Sequence, residues 1–229
     1  MRHQVYTLRI TRSTGFWRYT GVMHESWLER WEEGRIGWHE PTGNRNLQAH
    51  WHWSGARVLV PMCGKTYDLL WLEAQGNEVV GVELSELGVL AFFEENELEF
   101  ERIEGSLPGY RAVDRRVSLY CGDFFEFQDG PFDAHFDRAA LVALTSDLRS
   151  RYAEHISSLL GEGAGQLVIT VEYDQDVCDG PPYSIIPDEV LGYWPQLKRH
   201  AVIDDTENAP PKFLDAGLDI MHEVVWVTS

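Results

Sequence analysis

A run of buried-type residues, Arg57-Val58-Leu59-Val60, enters the turn Pro61-Met62-Cys63-Gly64-Lys65, and a second run, Glu78-Val79-Val80-Gly81-Val82, ends on Glu83. Strand, glycine-bearing turn, helix, strand and terminal acid is the order in which an α/β sheet holds an adenosine. The turn lets backbone approach the ligand, and the carboxylate accepts hydrogen bonds from ribose hydroxyls. Only Gly64 is glycine in this turn, whereas a diphosphate needs several close backbone approaches, so a dinucleotide is disfavoured.

The rest of the chain alternates in the same way. A short helix over 24–33 puts Trp27, Leu28 and Trp31 on one side, with Gly34 and Gly37 to stop it, and a second helical stretch covers 46–50. Strands are expected at 57–61, 78–83, 117–120, 132–137 and 166–171. Helices are expected at 67–75, after the cap Ser85, along the stripe Leu148, Tyr152, Ile156 and Leu159, and from Pro187 onward. The glycines after Leu160 should end the third of these. Two closing strands, 200–204 and 220–227, have only a turn-rich segment between them and read as an antiparallel hairpin. Such alternation implies an α/β fold, a mostly parallel sheet with helices on both faces.

Net charge is −18, and it is unevenly spread. Residues 1–22 carry Arg2, Arg9, Arg12 and Arg18 and no acid, so from Met23 onward 15 basic residues face 37 acidic ones. So acidic a body repels phosphate backbones and anionic lipid, which argues against nucleic acid and membrane as partners, or it is simply a solvated surface suited to high salt. No apolar run approaches the ~18 residues of a membrane span. Cys63, Cys121 and Cys178 are odd in number and form no CxxC pair, which favours a reducing cytoplasm over a disulfide framework or a zinc site. Nothing such as a heptad repeat demands association, so a monomer is expected. Residues 1–22 are read as an N-terminal extension outside the core and 23–229 as a single domain.

Beyond Gly64 and Glu83, three features follow successive strands. Tyr120-Cys121-Gly122-Asp123-Phe124-Phe125 offers an acid for an adenine amino group and an aromatic to cover the ring, though Gly-Asp is also a common turn. Phe136-Asp137-Arg138 ends the fourth strand, where a second substrate would lie. Arg138 keeps its charge and can orient an anionic acceptor, or it can simply pair with Asp137 or another acid. Trp27, Trp31 and Trp38 can form an apolar lid facing a cation with π density, or can be core packing. His24, His39, His50 and His52 share no ligand spacing, and no metal is assigned. Cys63 and Cys121 read as packing residues.

Taken in order, Trp27-x-x-x-Trp31, Ile36-Gly37-Trp38-His39, Pro61-Met62-Cys63-Gly64-Lys65, the run from Val79 to Glu86, Asp137-Arg138-Ala139-Ala140-Leu141-Val142-Ala143 and Gly180-Pro181-Pro182-Tyr183 resemble the thiopurine S-methyltransferase family from about residue 24 to the C-terminus. The resemblance implies a Rossmann-like class I methyltransferase fold, with a mostly parallel seven-stranded sheet and a C-terminal antiparallel hairpin. It also implies S-adenosylmethionine as donor and S-adenosylhomocysteine as product. By that likeness Trp27, Trp31, Met62, Glu83, Asp123 and Phe124 contact the cofactor, beside the turn residue Gly64, and Trp38 and Arg138 border the acceptor, with no general base assigned. Trp38 stands where many members have phenylalanine. The implied acceptors are small aromatic or heterocyclic thiols. Selenium or tellurium species, halide and thiocyanate are the alternatives, and a non-catalytic S-adenosylmethionine-binding protein is another. A nicotinamide-dependent oxidoreductase is disfavoured by the single turn glycine and the lack of a Tyr-x-x-x-Lys pair.

Overall fold

In the computed structural model, which describes residues 17–228, the chain opens with helix α1 (Trp17–Glu32) and the short α2 (Arg45–His50). The N-cap of α2 is Asn44, whose side chain accepts from the backbone N–H groups of Asn46 and Leu47. The expected extension over 1–22 lies mostly outside the described residues; α1 begins within it.

Strand β1 (Arg57–Pro61) is buried along Val58–Pro61, as a central parallel strand with both faces covered must be. Helix α3 (Asp68–Ala74) returns the chain to β2 (Glu78–Glu83), and Ser85 caps α4 (Glu86–Glu95) by accepting from the Gly88 N–H at 3.3 Å. Strands β3 (Phe100–Ile103) and β4 (Gly109–Ala112) follow, then β5 (Val117–Cys121), β6 (Phe132–Arg138), α5 (Ser146–Leu159), β7 (Leu160–Tyr173), α6 (Pro187–Tyr193), β8 (Leu197–Asp204), α7 (Pro211–Asp215) and β9 (Met221–Thr228).

The sheet order is β3-β4-β5-β2-β1-β6-β7-β9-β8. Strands β5, β2, β1, β6 and β7 are mutually parallel, and β9 and β8 close one edge antiparallel. That is the expected mostly parallel core with its C-terminal hairpin.

The count of seven strands is corrected to nine, because β3 and β4 extend the other edge antiparallel to β5. The face of β3 is largely exposed, so its residues carry no alternation by which a sequence announces a strand. The glycines after Leu160 do not form a loop either. Strand β7 starts at Leu160 and runs through Gly161, Gly163 and Gly165. A Cβ at Gly165 would stand 2.3 Å from the Trp53 ring, so glycine there makes room for an indole. The connection between the last two strands, expected to be only turns, contains α7, with Phe213 buried beneath it.

Both faces are covered. Leu148, Tyr152, Ile156, Trp194 and Trp226 form a core on the α5 and α6 side, and Leu47, Leu69, Leu72, Phe92 and Phe93 on the other. Because β1, β2, β5 and β6 are parallel, their C-terminal ends fall together on one edge. Met62 (φ 46°), Glu83, Gly122 and Ala139 (φ 70°) mark the four chain exits there.

Candidate active site

A cavity of about 510 Å³ opens along that edge. Of the nine site residues expected from the sequence, eight line it: Trp27, Trp31, Trp38, Met62, Glu83, Asp123, Phe124 and Arg138. Gly64 lies one step behind. Its N–H donates to Glu83 Oε2 at 2.8 Å, and its left-handed backbone (φ 57°) aims that amide.

Glu83 is 5% exposed. Burial pushes its carboxyl above the ordinary range, opposed by hydrogen bonds from the Ser85 and Gly64 amides and from the Trp31 side chain. Ser85 N reaches Oε1 at 2.8 Å, and the Leu84 amide and the Trp31 side chain add to these donors. Glu83 lines the cavity, so hydroxyl donors entering there share its roughly four lone-pair sites with these donors. This is a fixed carboxylate acceptor at the cavity wall.

Asp123 Oδ1 accepts from Phe125 N–H at 2.9 Å, capping the turn Phe124–Glu126, while Oδ2 lies 3.7 Å from His24 Nε2. Phe124 is buried against Tyr152 and His155. The three indoles meet as a wall: Trp27 and Trp31 both stand edge-on to Trp38, with ring centroids 5.0 and 6.0 Å away. Gly88 makes that possible, since a Cβ there would come within 2.8 Å of the Trp31 ring.

Arg138 donates to the Trp38 carbonyl at 2.5 Å and forms an ion pair with Glu40. The alternative partner Asp137 points elsewhere. It is fully buried and accepts from Tyr152 Oη (2.7 Å), Ala140 N (3.1 Å) and Leu141 N (3.3 Å). Burial raises its carboxyl to about 6. Burial pushes the Cys63 thiol well up and Cys121 to about 12, which opposes their ionisation.

The sequence reading missed His24 and the far end of the cavity. His24 precedes Trp27 by three residues and Trp31 by seven, so the helical stripe that found the indoles also contains it. The far end is built from Ile169 and Val171 on β7, Met221 and Glu223 on β9, Pro181 and Pro182, and Asp205. Only the Pro pair was quoted from the sequence, because the others converge through strand register. Among the described residues no three His, Cys, Asp or Glu side chains cluster as a metal site, and no helix is long and apolar enough to cross a membrane.

A family model described as thiopurine S-methyltransferase matches residues 22–229. The chain belongs to that family. A thiopurine S-methyltransferase from Bordetella petrii is 42% identical over 213 residues, covering 88% of this chain and 96% of the relative. One from Pseudomonas syringae pv. syringae is 40% identical over 213 residues, covering 88% and 95%. Among solved structures, the fold is similar to the 1,6-didemethyltoxoflavin-N1-methyltransferase of Burkholderia thailandensis, solved with 1,6-didemethyltoxoflavin and S-adenosylhomocysteine. The TM-score is 0.63 at 18% identity, covering 96% of this chain and 93% of that one. TehB from Haemophilus influenzae matches with a TM-score of 0.53 at 14% identity, over 80% of this chain and 59% of its own. This protein is an S-adenosylmethionine-dependent methyltransferase.

Proposed function

We propose that the acceptors of this methyltransferase are small aromatic and heterocyclic thiols, attacked in line as thiolates. S-adenosylmethionine, when bound, supplies a methyl carbon already activated by its sulfonium charge. The chain's contribution is to bind, orient and exclude water. Glu83 would hold the ribose and Asp123 the adenine amino group. Trp27, Trp31, Met62 and Phe124 would cover the apolar faces, and Trp38 and Arg138 would border the acceptor. An acidic thiol needs little base catalysis, because an appreciable thiolate fraction exists near neutral pH.

The observation that carries this reading is the makeup of the far end of the cavity. Trp38, Ile169, Val171, Pro181, Pro182 and Met221 form an apolar slot in the cavity wall, and the cations on the same cavity are Arg30, Arg35, Arg138 and Lys212. A planar ring fills such a slot, whereas a hydrated oxyanion gains little from it. Those cations are already engaged: Arg138 with Glu40, Arg35 with Glu33, Arg30 over the Trp27 ring and Lys212 with the Asp179 carbonyl at 2.8 Å.

Two of the five guanidinium donors are committed to Trp38 and Glu40, and the remaining ones are free to orient a thiolate. Arg138→Ala is expected to lower kcat/KM for thiolate acceptors by roughly tenfold to a hundredfold, the worth of one charge-assisted hydrogen bond. Unchanged kcat/KM for every anionic acceptor would remove Arg138 from this role. The reading as a whole is tested by transfer of labelled methyl to an aromatic thiol, mercaptopurine, thiocyanate, iodide, and selenite with thiol. Turnover of the inorganic acceptors alone would sink the thiol assignment.

A further inference from the structure

Within the apolar slot one carboxylate has no use in the mechanism so far. Glu223 on β9 is 7% exposed, pairs in register with Val171 of β7, and lines the cavity beside Met221. Asn46 Nδ2 donates to its Oε2. Among the described residues Oε1 has no donor. Oε1 keeps access to solvent, and on a residue that lines the cavity such an oxygen is a receptor for a donor on the ligand.

Resting on the thiol reading above, but with the neutral thione in place of the thiolate for this subset of acceptors, we propose that Glu223 selects heteroaromatic thiols that carry a ring N–H, and takes up that proton as the sulfur is methylated. Heteroaromatic thiols of this kind exist largely as thiones, with C=S beside N–H. Methylation forms one carbon–sulfur bond at the ring sulfur. It breaks the methyl–sulfonium bond, whose electron pair remains on the departing thioether sulfur. The C=S bond becomes C–S–CH₃, the ring nitrogen keeps a lone pair, and its proton is surplus. A carboxylate already hydrogen-bonded to that N–H receives the proton without solvent entering the slot.

The charged surroundings of Glu223 suit this task. Burial raises its proton affinity most, Arg138 draws it down, Asp205 and Glu40 raise it, and the Asn46 hydrogen bond lowers it. Asp205 is itself paired with Arg45 at 2.7 Å. Asn46 fixes the carboxylate through its other oxygen, so Oε1 is pre-aimed.

The test compares mercaptopurine, which has a ring N–H, with naphthalenethiol, a bicyclic thiol that has none. Glu223→Gln should lower kcat/KM for mercaptopurine at least about tenfold and leave naphthalenethiol within about twofold. The acid limb of the mercaptopurine pH profile should flatten in the variant, with the naphthalenethiol profile unmoved. Unchanged S-adenosylhomocysteine binding by calorimetry shows that the variant is folded. If the variant does not fold, the unaltered protein decides: mercaptopurine methylated at the donor nitrogen should bind at least about tenfold more weakly than mercaptopurine. Equal losses for both thiols, no loss for either, or equal binding of the N-methylated compound would overturn the assignment. If the unaltered protein turned over neither thiol, the thiol reading itself would fall, and Glu223's role with it.

Discussion

Glu83→Ala is expected to weaken S-adenosylhomocysteine binding by at least about a hundredfold, since two charge-assisted hydrogen bonds at roughly 1.5–3 kcal/mol each are lost. The same change should cost stability, because Glu83 has two tasks. It faces the cavity, and it also accepts from the Gly64 and Ser85 amides at 2.8 Å. Alanine leaves both buried N–H groups without an acceptor, at about 1–3 kcal/mol each. In a chain of this size that is a fall in Tm of several degrees, at about 2–4 °C per kcal/mol. Glu83→Gln retains one acceptor oxygen, but it turns an NH₂ group toward one of the two amides, so it should lie between alanine and the native residue on both scales. Calorimetric titration and thermal unfolding on the three proteins separate the effects. A Kd for Glu83→Ala within about threefold of native would show that the ribose does not lie on this carboxylate, whatever the Tm does.

That double role explains which parts of the site could be read from sequence. Glu83, Asp123 and Arg138 each sit at or just beyond the end of a strand whose residues announce it. Parallel pairing brings those ends together without further information, so position along the chain predicted position in space. Gly64 was read as a cofactor-side turn residue; its amide also orients the carboxylate, a role that depends on φ and not on residue type. Glu40, Glu223 and Asp205 were not found. Glu40 and Asp205 reach the site from loops, and Glu223 from the antiparallel strand β9, whose register is set by tertiary packing. The β3–β4 hairpin escaped for a related reason. An edge strand with an exposed face needs no apolar alternation, and without alternation there is no period to read.

The buried carboxylate of Asp137 gives the second large expected effect. Its folded value of about 6 lies above the ordinary 3.8, chiefly through burial, so the folded chain holds this proton more tightly than the unfolded chain does. The group therefore contributes most favourably below the unfolded value. That contribution is lost as pH rises through about 6, and above it the ionised carboxylate is a constant burden on the order of 2–3 kcal/mol. Asp137→Asn keeps an oxygen for the Ala140 and Leu141 amides and cannot ionise. On going from about pH 7.5 to about pH 4.5, the native protein should gain on the order of 2 kcal/mol relative to the asparagine variant. Asp137→Ala differs in kind. It strands the Tyr152 hydroxyl and two backbone N–H groups, and is expected to cost about 3–5 kcal/mol at neutral pH. The loss should reach activity as well, because those amides hold the turn in which Ala139 takes φ 70° and from which Arg138 enters the cavity. Denaturant unfolding of the three proteins at both pH values checks this. Parallel pH dependence for the native and asparagine proteins would mean that Asp137 stays ionised throughout, with the Tyr152 hydroxyl and the two amides outweighing the cost of its burial.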